Sequence, residues 1–131
     1  MQNIARRDGQ IVLLPVAAGK KIQEGAIVAL TAAGYLVEAA DADAAKIVGR
    51  ANDEAINLDG EAGAVRINVQ RKNAFLLANG AGADQVKEAN LFTECFLADA
   101  DTVAAVAGDP ARLVVGKVIE ISQEGVWVEI A

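Results

Sequence analysis

The sequence predicts a mainly β fold: a compact sandwich or barrel of short, mostly antiparallel strands with one to three short helical turns. Three observations carry that expectation. Apolar residues fall in short runs or in strict alternation, without the three-and-four spacing of an amphipathic helix. Twelve glycines are spread along 131 residues, a spacing that punctuates short strands rather than long helices. The apolar fraction is 53%, yet three Phe, one Trp and one Tyr are the only aromatics, so the core must be built from Val, Ile and Leu.

Residues 1–9 are polar and are expected to form a flexible N-terminal arm ahead of a single β-rich domain over residues 10–131. Ile11-Val12-Leu13-Leu14 and Ala26-Ile27-Val28-Ala29-Leu30 are short apolar runs that read as buried strands. Between Ala64 and Gln70, alternation sends Val65, Ile67 and Val69 to the core and Arg66, Asn68 and Gln70 to water. Residues 73–78 follow closely and read as a hairpin partner or a bent continuation. Residues 118–122 and 126–130 flank Gln123-Glu124-Gly125, a connection ending in the residue that accepts positive φ at a hairpin bulge. In the last strand Val126, Val128 and Ile130 share one face, and Trp127 and Glu129 the other. Helical signals are thinner. Residues 41–47 and 99–107 are Ala-rich with acidic residues placed as caps, and each reads as one helical turn or a loop; residues 85–90 allow another short turn.

One weak internal repeat stands out. Ala29-Leu30 is followed by Val48-Gly49-Arg50, and Phe96-Leu97 by Val115-Gly116-Lys117, with the two glycines 67 positions apart (116 − 49). A pseudo-duplicated β unit accounts for this match, and so does coincidence in an Ala-rich chain.

The chemistry-bearing residues are few. Twelve basic against 18 acidic residues give a net charge of −6, which argues against a nucleic-acid partner. No segment approaches the ~20 apolar residues of a membrane span, and the polar start has no secretory leader's form. The absence of His removes the commonest general base, the usual zinc ligand and the Ser-His and Cys-His pairs. Cys95, the single cysteine, lies between Glu94 and Phe96 and reads as a small core residue rather than a nucleophile. Asn79-Gly80-Ala81-Gly82-Ala83-Asp84 has neither phosphate-loop spacing and reads as a flexible surface turn. The pairs Asp41/Asp43, Asp53/Glu54 and Asp99/Asp101 read as caps and solvated loop charges, and Ser122 as a strand-end residue. No catalytic, cofactor-binding or metal-ligating residue is assigned, and no cofactor is expected. Tyr35 and Trp127 are assigned to protein–protein contact, Trp127 because alternation places it opposite the core face. A core with two packed sides would bury Trp127 equally well.

An ordered set of motifs adds a resemblance. It comprises Gly25-Ala26-Ile27-Val28-Ala29-Leu30, Ala33-Gly34-Tyr35 and Lys46-Ile47-Val48-Gly49-Arg50-Ala51, then residues 65–72 with Ala74-Phe75. Cys95-Phe96 with Asp101-Thr102-Val103, Val115-Gly116-Lys117-Val118 and Gly125-Val126-Trp127-Val128 complete it. Together, from about residue 7 to residue 130, they resemble the small structural proteins encoded beside the major head protein in tailed phages and Mu-like prophages. The resemblance implies a non-enzymatic virion protein that decorates or stabilises the assembled capsid, mostly β, associating as a homo-oligomer such as a trimer. It also implies an N-terminal arm on the outer capsid, which here makes Arg6 and Arg7 the expected capsid contacts. The implied partners are the major capsid protein and further copies of this chain, with no nucleic acid and no membrane. The implied location is the virion, after the cytoplasm of the bacterial host. The alternatives are another virion position (head–tail connector, tail or fibre subunit) and a small β-barrel ligand-binding domain or enzyme using the acidic residues around Asp41 and Asp99.

Overall fold

The computed structural model describes residues 9–131. Its strands are β1 (Ile11–Pro15), β2 (Lys20–Ile22), β3 (Ile27–Leu30), β4 (Leu36–Glu38), β5 (Lys46–Ala51) and β6 (Ala55–Asn57). They continue as β7 (Arg66–Gln70), β8 (Asn73–Asn79), β9 (Glu94–Asp99), β10 (Thr102–Ala104), β11 (Val114–Ser122) and β12 (Gly125–Ile130). Two single 3-10 turns, Gly82–Asp84 and Glu88–Asn90, are the helical elements among the described residues. The chain is mainly β, with short and mostly antiparallel strands, as its alternation predicts.

These strands build the same five-stranded unit twice. The first has the order β1-β7-β5-β3-β4; the second, read from β8, has β8-β12-β11-β9-β10, so each strand has a counterpart in the same place. The second unit closes into a barrel by parallel pairing of β10 with β8, Val103 standing opposite Asn79. The first is drawn round by a single parallel bridge between Val16 and Leu36. Even the closing hydrogen bonds correspond: the Ala17 amide donates to the Leu36 carbonyl at 3.0 Å, and the Gly80 amide to the Val103 carbonyl at 2.9 Å. β2 and β6 pair with each other as a small ribbon, and their Ile22 and Ala55 join the core of the first unit.

One register shift repeats as well, although the second unit has two more, between Thr102 and Val103 and between Val118 and Glu120. Val28 faces Gly49 and Ala29 faces Ile47, so Val48 is an extra residue on β5. Cys95 faces Gly116 and Phe96 faces Val114, so Val115 is the extra residue on β11. A bulge bends its strand and increases the local twist, which rolling five short strands into a barrel requires. The glycine beside each bulge answers to crowding. A Cβ on Gly49 would run into the Gln70 carbonyl oxygen, and a Cβ on Gly116 into that of Glu129. The repeat in the sequence is thus a structural duplication rather than coincidence.

Alternation then sorts the side chains between two cores. Val28, Leu36, Val48, Ile67 and Val69 fill the first unit. Ile27, Ala29, Val37, Ala39 and Ile47 leave the same strands on the other side and join the apolar cluster of the second unit. This explains why residues 27–30 read as an unbroken apolar run: both faces are covered.

Local expectations differ from the structure in three places. β8 neither hairpins with nor continues β7; it opens the second unit and pairs with β12, the chain turning at Arg71 and Lys72, which has φ +58°. Residues 41–47 contain no helix, since the Asp41 carboxylate caps its own turn by accepting the Asp43 amide at 2.9 Å before β5 begins. Residues 99–107 contain β10, whose Val103 and Ala104 are buried, so strand pairing overrides the weak helix preference of alanine.

Gly49→Ala and Gly116→Ala are each expected to lower the unfolding free energy by about 1–3 kcal/mol, because relief requires backbone movement. Urea denaturation measures this, and parental stability in both variants would contradict the close crossing.

Candidate functional site: a groove between the two units

A groove of about 620 Å³ lies where the units meet. One wall carries Glu24, Gly25, Ile27, Glu38 and Arg50 of the first unit; the other carries Phe75, Leu76, Asp99, Asp101 and Trp127 of the second. Local chemistry sets these positions. The turn before β3 closes through the Ala26 amide and the Gln23 carbonyl at 3.1 Å, with Gly25 at φ +86°. The β9–β10 turn is tied by the Asp99 carboxylate, which accepts the Ala100 amide at 2.7 Å. Trp127 reaches the groove because β12 sends Val126 and Val128 inward on either side of it.

Arg50 joins the two walls. Its guanidinium lies 5.3 Å from the centroid of the Phe75 ring across the unit boundary, and its Nη2 donates to Gln70 Oε1 at 2.9 Å. Its Nε is buried and is the one buried side-chain polar atom without a hydrogen-bond partner among the described residues. Two neighbouring carboxylates already hold local structure: Glu38 accepts the Gln23 amide at 2.9 Å, and Asp101 accepts the Thr102 hydroxyl at 3.2 Å. The groove therefore presents an acidic rim around one stacked guanidinium and one half-buried indole.

The residues singled out by sequence are dispersed. Trp127 lines the groove, and so do Asp99 and Asp101. Tyr35 sits half-buried in the β3–β4 turn beside Gly63, its amide donating to the Thr31 hydroxyl at 3.2 Å. Arg6 and Arg7 lie outside the described residues. Asp41 is away from the groove, paired with Lys20 at 2.8 Å; that lysine and the Asp43 amide hold its carboxyl below the usual carboxylate range. Asp53 accepts the Asn68 amide at 3.2 Å.

The glycine-rich stretch after β8 is braced rather than loose. Asn79 exchanges two side-chain hydrogen bonds with the Val86 backbone, at 2.8 and 3.0 Å. Asp84 is gripped by both terminal nitrogens of Arg112, at 2.9 and 3.1 Å, which keeps its carboxyl below the usual range. Cys95 lies inside the second barrel, where burial pushes its thiol up to about 11, so it stays protonated and unreactive near neutral pH.

Arg50 and Phe75 enter the sequence reading only as members of motifs, with no role of their own. Their one signal is a cation and an aromatic ring set within otherwise aliphatic strands. No helix among the described residues is long and apolar enough to cross a membrane, and no described group of three or more Cys, Asp or Glu is placed to hold a metal ion. No protein-family model, curated protein or solved structure matches this chain.

Arg50→Ala is expected to lower stability by about 1–2 kcal/mol through the lost stacking and hydrogen bond. Arg50→Lys should restore only part of it, since an ammonium lacks the planar fork; full rescue by lysine in thermal melts would reduce Arg50 to a point charge. Native protein should resist iodoacetamide at pH 8 and react once unfolded in urea, and Cys95→Val should cost under about 1.5 kcal/mol because Val28 fills the counterpart position.

Proposed function

We propose that this chain is a non-enzymatic structural protein of a phage or prophage virion, decorating or stabilising the assembled capsid by binding the major capsid protein. The observation that carries the proposal is how much large apolar side chain a small β body leaves exposed. Ile11, Leu13, Ile56 and Leu58 project from the first unit, and Leu76, Phe92, Val106 and Val114 from the second. Exposed apolar side chains suit adhesion where they lie side by side. Many copies on a symmetric shell turn weak single contacts into firm attachment, and the charge of −6 keeps free subunits soluble. The resemblance of the ordered motifs to those of small phage head proteins supports the same reading. Arg6 and Arg7 are its proposed shell contacts, Tyr35 and Trp127 its proposed protein contacts, and a homotrimer its proposed free form. It acts on the virion, after the host cytoplasm.

A second reading, a ligand-binding β domain, is favoured by the groove, which Trp127 and Arg50 both line. Purified protein is expected to co-sediment with shells assembled from the neighbouring gene's major head protein, and Arg6→Ala with Arg7→Ala to weaken that binding. Failure to bind either immature or expanded shells overturns the capsid reading, and immunogold label on tails would choose a tail or connector position. Trp127 emission that shifts with a small molecule and not with shells would choose the ligand-binding reading.

A further inference from the structure

The duplication says what covers an otherwise open face. In the first unit the outward side of β3–β5 is buried against the second unit, through Ile27, Ala29, Val37, Ala39 and Ile47. Adding 67 gives the counterpart positions on the second unit, Glu94, Phe96, Ala104, Val106 and Val114, of which Ala104 is buried and Phe96 half-buried while Glu94, Val106 and Val114 are exposed. Here Val106 is 45% exposed and Val114 41% exposed.

Phe92 marks the same face more sharply. Its amide donates to the Val118 carbonyl at 2.7 Å, as the Gly25 amide donates to the Ala51 carbonyl at 2.9 Å, so the two residues are counterparts. Gly25 takes φ +86° without cost, whereas Phe92 holds φ +63° with a bulky side chain 68% exposed. A phenylalanine in the left-handed region is strained. Such strain, with the ring left in water, points to a contact outside the chain.

The reciprocal surface is also present. In the groove, Gly25 and Ile27 look across at Ala74 and Leu76 of β8. By register, Ala74 faces Glu129 as Ile11 faces Gln70, and Leu76 faces Trp127 as Leu13 faces Asn68; the counterparts of Ala74 and Leu76 are therefore Ile11 and Leu13. Each is 49% exposed. Where the groove within the chain pairs small Gly25 with Ala74, the corresponding pair between chains is Phe92 with Ile11, large enough to fill the gap.

We propose that the β9–β11 face, with Phe92 and Val106, docks head-to-tail on the β1 face, with Ile11 and Leu13, of a second copy of this chain. The contact repeats the one between the two units, so it joins unlike faces and builds a ring or an open string. It names the surface for the homo-oligomer of the proposed function. It is tested without any shell, so its failure leaves the capsid reading standing.

Sedimentation velocity on the full chain should show mass rising with concentration. Phe92→Gly, the residue already used at the counterpart position, should weaken association at least about tenfold with an unchanged or raised melting temperature. Val106→Gln and Leu13→Gln should weaken it likewise. An equimolar mixture of Phe92→Gly and Leu13→Gln should form dimers and nothing larger, since each chain keeps one intact face. A parent that stays monomeric at all concentrations, folded variants that assemble like the parent, or a mixture that fails to pair would each overturn the proposal.

Discussion

Rolling five short strands into a closed unit is the constraint on which the rest depends. The interior of so small a barrel takes aliphatic side chains of moderate size, which is why the chain is rich in Val and poor in aromatics. Closure also forces one strand to cross its neighbour more closely than a side chain permits. The bulges at Val48 and Val115 supply the bend, and Gly49 and Gly116 the clearance over the Gln70 and Glu129 carbonyls. The parallel contacts of Val16 with Leu36 and of Asn79 with Val103 then bring the first and last strands of each unit together.

What the sequence revealed follows the range of each interaction. Period-two alternation is local, so the inward face of β7 and of β12, with Ile67, Val69, Val126 and Val128, was legible residue by residue. The repeat showed only at its tightest point, around Gly49 and Gly116, because there the backbone admits one residue type. Pairing partners were hidden: β1 meets β7 across more than fifty residues, and β8 meets β12 at similar range. Residues 99–107 misled for the same reason, since nothing within them announces that β10 will be clasped between β8 and β9. The groove was legible only through Trp127, Asp99 and Asp101, because its walls come from separate segments of both units, and Arg50 acquires its role only when Phe75 arrives from the other unit.

Comparison of the copies separates what the barrel needs from what each surface does. Inside, Val28, Leu36, Val48 and Val69 correspond to Cys95, Val103, Val115 and Val128, all buried and all compatible with the same narrow interior. Asn79 departs most from this pattern, standing where the first unit has buried Val16; its side chain is satisfied by the Val86 backbone, so a polar group is tolerated there. Outside, the copies share little: Gly25 answers to Phe92, Ile27 to Glu94, Ala39 to Val106, and Asn68 to Trp127. A face used within the chain and a face turned outward are under different physical demands, and the residues differ accordingly.

The contact between the units is itself asymmetric, and that has a structural consequence. The first unit covers its β3–β5 side with its neighbour, while the second leaves the same side open at Val106 and Val114. Two units related by a true twofold would bury like faces together and leave no free end. Here one end of the block shows Ile11 and Leu13 beside the polar Arg66 and Asn68, and the other shows Phe92 and Val106 beside Glu94 and Lys117. Unlike ends give the molecule a direction, and a directed block with apolar tips is suited to being laid down in register rather than to pairing off. The surplus of six negative charges opposes that association in free solution, and added salt, by screening it, favours the apolar ends.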